Sequence, residues 1–191
     1  MIATTDPGVV DPREVHLVAL YPGDDPARAQ LRRAVLRLRP APGQRQFSGA
    51  AEQTLPQADA DPDRIPFAVV WTGQNAPPGG AAVGFGVLDG GSARMELSDD
   101  PAQVVLLRAF YIEPHWQGYG VGRAACLALD TLVSEALPWA RHVLLTVNER
   151  NEPAIRAYRA GGFRDTGRRH LGGPHGYQLV LARTVGSEAP A

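Results

Sequence analysis

The sequence predicts an α/β chain (α+β in stricter schemes), a mixed β-sheet with helices packed against it. Three observations carry this. Short apolar runs of strand length recur along the chain, amphipathic helix-length segments separate them, and glycine or proline punctuates most junctions. The order reads βα-ββ-βα-βα-ββ, and the two βα units near the centre are expected to be parallel and right-handed. At 191 residues the chain is long enough for one ordinary domain with a real core, without help from metals or disulfides.

Glu14 to Leu20 (EVHLVAL) reads as the first strand. Asp24 or Asp25 caps a helix that carries Pro26 in its first turn and runs to Leu38. From Pro40 to Arg64 the periodicity fades into a long loop rich in Gly, Pro, Gln and Asp, with one short helix near Gly49 to Thr54. Phe67 to Trp71 and Ala81 to Leu88 form an antiparallel pair joined through QNAPPGG. Gly90 to Asp100 is an acidic loop of small residues. Val104 to Ile112 (VVLLRAFYI) is apolar enough for a central strand, with Arg108 its one charge. The next helix spans Gly118 to Leu137. Its apolar stripe of Val121, Ala125, Leu129, Leu132 and Val133 has the spacing of one helix face, and Pro138 ends it. His142 to Val147 is the fifth strand. Asn151 caps a short helix to Ala160, with Pro153 in its first turn and Gly161 and Gly162 as its stop. Phe163 to Arg168 and Gly176 to Ala182 are the last strands. Thr184 to Ala191 is expected to be a flexible tail, leaving residues 1–183 as a single domain.

Composition removes several classes of function. The formal charge is −1, so nothing points to nucleic acid or another polyanion. No run approaches the roughly 18 apolar residues of a membrane span. The start, MIATTDPGVVDPREV, has neither the basic head nor the apolar core of a secretory signal. The lone Cys126 reads as an inert buried residue and fits a reducing cytoplasm. The histidines lack metal-site spacing, so no metal is expected.

Gly118, Gly120 and Gly122 stand where the fourth strand becomes a helix. A tight turn with close helix–sheet packing would explain them. So would a cradle in which a phosphate meets the free amides of the first helical turn. A P-loop would need lysine followed by Ser or Thr, and here Arg123 and Ala124 follow the last glycine. A dinucleotide fold would put its glycine turn after the first strand. A phosphate ligand here would therefore be of another kind.

Gln117-Gly118-Tyr119-Gly120-Val121-Gly122 resembles the Q/R-x-x-G-x-G/A motif of the general-control-related N-acetyltransferases, the GNAT family. LTVNERNEPAIRAYRAGGF, from Leu145 to Phe163, resembles that family's closing strand–helix segment, with Asn151, Ala154, Tyr158, Gly162 and Phe163 in register. GPHGYQLVL, Gly173 to Leu181, is similar to members that act on small molecules. The resemblance covers residues 104–170 firmly, and the earlier segments by element order alone. It implies a mostly antiparallel twisted sheet of six to seven strands, helices on both faces, and a splay between strands 4 and 5. It implies acetyl-CoA as co-substrate and a small-molecule amine as acceptor, with direct attack and no covalent enzyme intermediate. The Gln117–Gly122 amides would hold the pyrophosphate, with Arg123 in support. Backbone groups around Phe110 and Ile112 would take the pantetheine arm, as would Asn151, itself a good helix cap. Tyr158 would protonate the departing thiolate, where otherwise it would be a packed aromatic. Some members carry a glutamate as base where this chain has Leu106, so the base falls to Glu113 or to a water chain, with His115 nearer the phosphates. The missing glutamate keeps a noncatalytic acyl-CoA-binding domain open, and a protein N-terminal or lysine acetyltransferase is a further variant. Pairing through edge strands is common in the family and admits a homodimer.

Other residues have two readings each. Arg108 is a pocket or ion-pair residue. Trp71 and Trp116 pack in the core or at a rim. Tyr111 lines the acceptor site or packs under a helix. Glu96, Asp99 and Asp100 form a solvated loop, or a rim that attracts a cationic amine.

Overall fold

The computed structural model describes residues 8–45, 48–171 and 176–186. Its strands are β1 (Val15–Ala19), β2 (Arg64–Trp71), β3 (Ala81–Asp89), β4 (Val104–Ile112), β5 (His142–Asn148), β6 (Arg164–Leu171) and β7 (Tyr177–Thr184). They form one sheet in the order β1-β2-β3-β4-β5-β7-β6. Neighbours are antiparallel except β4 and β5, which are parallel. The helices are α1 (Pro26–Val35), α2 (Ala51–Asp59), α3 (Val121–Ala136) and α4 (Glu152–Ala160).

Alternation along the strands divides the apolar residues between two faces. On one face Val105, Leu107, Val143 and Leu145 meet Val121, Leu129 and Val133 of α3 and Ile155 of α4. On the other, Ala68, Val70, Phe85 and Val87 meet Val35 of α1 and Leu55 and Ala58 of α2. Each fully buried Val or Leu contributes about 1.5–3 kcal/mol, so α3 is fixed by its buried stripe more than by helix propensity.

Several boundaries differ from the sequence expectation. Asp25 rather than Asp24 caps α1, accepting from the N–H groups of Ala27 and Arg28, and the helix ends three residues before Leu38. The segment read mostly as loop holds a full helix, α2, despite Pro56 within it; Ala51, Leu55 and Ala58 recur on its buried side. The strand β7 runs through Thr184, and Val185 N–H donates to the Arg141 carbonyl at 2.9 Å. The Gly173–His175 part of the last motif and the tail beyond residue 186 lie outside the described residues. The first central βα unit gives adjacent parallel strands. In the second, β7 inserts between β5 and β6. The reason is polarity: LVLA of β7 suits an interior position, whereas RDTGRRH of β6 is nearly all exposed and suits an edge.

Two irregularities in β4 prepare a site. Phe85 faces Tyr111 and Val87 faces Arg108, so Ala109 and Phe110 together oppose the single residue Gly86. This is a β-bulge, with Ala109 at φ 49°. The bulge reverses the alternation. Phe110 and Ile112 therefore share the face of Val105 and Leu107, and Tyr111 turns to the opposite face. A side chain at Gly86 would run into the ring of Phe67 and crowd that of Phe110. The second irregularity is the splay: β4 pairs with β5 only at Val104, Val105 and Leu106.

Candidate active site

Where β4 and β5 part, two adjoining cavities open. The first, of about 570 Å³, is walled by the glycine loop, Ile112, Asn151, Ala157 and Tyr158. Gly118 and Gly120 have φ of 88° and 86°, the left-handed region that only glycine enters freely. A Cβ on either would meet nothing within 4 Å, and one on Gly122 would make only ordinary contacts with Ala157 and Ile112 at 3.7 and 3.8 Å. Close helix–sheet packing therefore does not require these glycines. Their bareness leaves the amides open to the cavity. Gly120 supplies no side-chain cap, so the first N–H groups of the 16-residue α3 and its positive dipole end face a prospective anion.

The loop is held from both sides. The Gln117 side chain donates to the Ile112 carbonyl at 2.7 Å and to Gln44 Oε1 at 2.9 Å. Gln44 Nε2 returns a bond to Gln117 Oε1 at 3.3 Å. Val10 N–H donates to the Tyr119 carbonyl at 3.0 Å, and Val121 is fully buried. Arg123 Nε donates to the Ala160 carbonyl at 3.3 Å while the residue lines the cavity. Asn151 caps α4 through Ala154 N–H at 3.4 Å and lines the cavity too. Arg156, Pro153 and Ala160 join this wall without having been expected from the sequence.

The second cavity, about 460 Å³, lies toward α2 and includes Gln57, Arg64, Asp89, Arg108 and His170. Both cavities share Ser48, Phe110, Thr146, Tyr158 and Gln178. Tyr158 thus stands at their seam. Its ring lies 6.1 Å from Phe110 and 5.7 Å, edge-on, from Phe163. Its hydroxyl makes no hydrogen bond among the described residues. Burial, and secondarily the neighbouring Cys126, push its pKa above the ordinary phenol range, so it keeps its proton at neutral pH.

Glu113 is placed differently. Its carboxylate accepts from His115 N–H at 3.0 Å and meets His115 Nδ1 at 3.0 Å, capping the turn at Pro114–Trp116. Neither Glu113 nor His115 lines either cavity. Leu106 faces a small apolar cluster with Leu97, Leu144 and Val180. Tyr111 packs under α2, accepting from Ala51 N–H at 3.1 Å and donating to the Leu38 carbonyl at 3.3 Å. Trp71 and Trp116 pack with ring centroids 4.9 Å apart and planes tilted by 52°, and Trp71 Nε1 donates to Glu14 at 3.2 Å. The acidic residues disperse: Asp99 pairs with Arg168, and Glu96 lines a separate 110 Å³ cavity beside Arg108 and His170. Cys126 is fully buried and its thiol is pushed up to about 12 by desolvation, which makes it inert. Among the described residues no His, Cys, Asp and Glu group could hold a metal ion. Among them also, no helix is long and apolar enough to cross a membrane.

Thr146 and Gln178 sit within sequence stretches already singled out, LTVNER and GYQLVL, and could have been found by their alternation along β5 and β7. Asp89, Arg64 and Ser48 carried no local signal; only the folded sheet assembles them with Arg108.

A splayed parallel pair, a glycine cradle at a helix start and a half-buried tyrosine at the seam suit an acyl-CoA-dependent transferase. The chain belongs to the acetyltransferase (GNAT) family, whose model matches residues 33–163. Acetyl-CoA is the acyl donor of this class. An uncharacterized N-acetyltransferase of Bacillus subtilis, YbbJ, is 31% identical over 137 residues, covering 72% of this chain and 81% of that protein. Among solved structures, the aminoglycoside acetyltransferase AAC(6')-Ib with paromomycin and acetyl-CoA superposes at TM-score 0.62 and 20% identity, over 90% of this chain and 93% of the other. Spermidine N-acetyltransferase of Vibrio cholerae with CoA and spermine does so at 0.58 and 14%, over 91% and 96%. At such identities these two structures establish the fold.

Proposed function

We propose that the chain moves the acetyl group of acetyl-CoA to a primary amine of a small molecule by direct attack, with Tyr158 as general acid. The observation that carries this is the seam: a donor-sized cavity and a second cavity meet at Tyr158. A domain that only bound acyl-CoA would need neither the second cavity nor a protonated phenol beside the first. An enclosure of about 460 Å³ suits a small acceptor.

The glycine-loop amides and Arg123 would take the phosphates, and Asn151 and the unpaired edge of β4 the pantetheine arm. The amine lone pair attacks the thioester carbonyl carbon, forming the C–N bond. The C–S bond then breaks, and the thiolate sulfur takes the Tyr158 proton. The amine's proton leaves through water, since Glu113 is engaged at its own turn. Tyr158 is reprotonated from solvent. We place this activity in the cytoplasm, where Cys126 stays reduced.

The test is thiol release from acetyl-CoA across a panel of small amines, with mass spectrometry of the N-acetyl product. Amine-dependent release with a matching product is expected. Binding of CoA with no release by any amine would overturn the proposal in favour of a noncatalytic domain.

A further inference from the structure

The second cavity contains a built charge arrangement. Asp89 lies at the end of β3 with its side chain only 3% exposed. Its Oδ1 accepts from Gly91 N–H at 2.8 Å, and its Oδ2 faces Arg108 Nη1 at 3.0 Å and Arg64 Nε at 3.2 Å. Both oxygens are therefore committed. Arg64 is shared further with Asp61, whose Oδ2 lies 3.1 Å from the same Nε. Among the described residues no second carboxylate pairs with Arg108. One of its N–H groups is used on Asp89, and its side chain stays half-exposed in the cavity wall. Glu96 lines the adjoining small cavity with Arg108, and among the described residues the two make no ion pair.

A cavity built for a polycation would present free carboxylates. This one presents a guanidinium fork, oriented from behind by a buried carboxylate that is itself fully paired. The fork is rigid, always charged and matched to a planar oxyanion in two-point contact. Asp61 and Asp89 already match Arg64 and Arg108 in charge, so what the fork offers a ligand is its remaining N–H donors.

We infer that the acceptor is an amine that also carries a carboxylate, such as an amino acid, and that Arg108 binds that carboxylate while Asp89 positions Arg108. This rests on the proposed acetyl transfer and adds the acceptor's class. The acceptor would span from Arg108 to the seam, with its amine end toward Tyr158. The bulge contributes directly. It follows Arg108 and turns Phe110 to the opposite face, and both residues line the second cavity.

The experiment uses pairs of amines that differ only at the acid: amino acids of graded chain length and their carboxamides. Spermidine serves as the polycation control, and rates are corrected for the fraction of free amine. The carboxylate member should have the higher kcat/KM by about 10- to 100-fold, the scale of a charge-assisted bond pair. Arg108→Leu should erase the preference, and Arg108→Lys should restore part of it. Asp89 keeps Arg64 and Gly91 as partners in both variants, so both should fold, as a melting curve will verify. A preference for carboxamides or spermidine in the wild type, or a carboxylate preference unchanged in Arg108→Leu, overturns the inference and leaves acetyl transfer standing. A second arm measures calorimetric binding of N-acetyl amino acids to CoA-loaded protein. Arg108-dependent binding without any turnover would sustain the anion subsite while removing the acetyl-transfer proposal. No such binding and no turnover would remove both.

Discussion

Tyr158→Phe separates chemistry from packing better than any other change in this site. The ring contacts at 6.1 Å to Phe110 and 5.7 Å to Phe163 survive the substitution. The hydroxyl makes no hydrogen bond among the described residues, so its removal should alter stability by less than the roughly 1 kcal/mol of an ordinary bond. Turnover is another matter. Loss of a positioned general acid should lower kcat about 10- to 1,000-fold, which is roughly 1.4–4 kcal/mol of barrier. CoA affinity should hold, because the cradle lies at the other end of the cavity. The raised pKa adds a sign. The folded protein holds the Tyr158 proton more tightly than the unfolded chain does. Its contribution to stability is therefore intact below about pH 10, the unfolded phenol value, and is lost as pH climbs through the folded one. Tyr158→Phe should match the wild type at neutral pH and resist alkaline unfolding better above about pH 10. Steady-state rates, a melting curve and a pH series of denaturant titrations give all three quantities. Wild-type kcat in a folded Phe variant would refute the general-acid role.

Gly120→Asp puts an anion and a strained left-handed residue where the phosphates should sit; calorimetry should show CoA binding lost, and unchanged affinity would refute the cradle. Arg183→Met strips the Asp130 carboxylate of its 2.6 Å partner and the Cys126 and Gly161 carbonyls of their donor, inside the core between α3, α4 and β7. Urea unfolding should register a loss of about 3–5 kcal/mol, and under 1 kcal/mol would mean that the cluster is dispensable. Gly161→Ala drives its new methyl into Cys126 at the α3–α4 contact. Overpacking there should lower stability by about 1–3 kcal/mol by the same assay, and a neutral result would show that α4 can shift freely.

Elements whose signals are local could be read from the sequence. β4 is a continuous apolar run, and α4 begins at Asn151 and stops at Gly161 because both ends carry their own caps. The α2 helix was largely hidden: its buried positions include two alanines, and Pro56 reads as a breaker. The bulge was invisible because Ala109 is not a residue type that announces a positive φ. The glycine loop and Tyr158 were legible as motifs, and their opening onto one cavity depends on the splay. Glu113 showed the limit of proximity in sequence. It follows β4 directly, yet its carboxylate is turned to His115. The Asp89–Arg108 pair joins two strands through a register that no local pattern encodes.

The two cavities share Ser48, Phe110, Thr146, Tyr158 and Gln178, and the rest of their walls differ. Donor and acceptor therefore need not queue through one doorway. Neither should obstruct the other's arrival, and under the proposed direct attack both must be present before acyl transfer begins. The kinetic consequence is a sequential mechanism through a ternary complex, whose double-reciprocal lines intersect. Spent CoA would then compete with acetyl-CoA while leaving the amine's own site open. Parallel lines would instead require an acylated enzyme, for which the buried, proton-retaining Cys126 is no nucleophile.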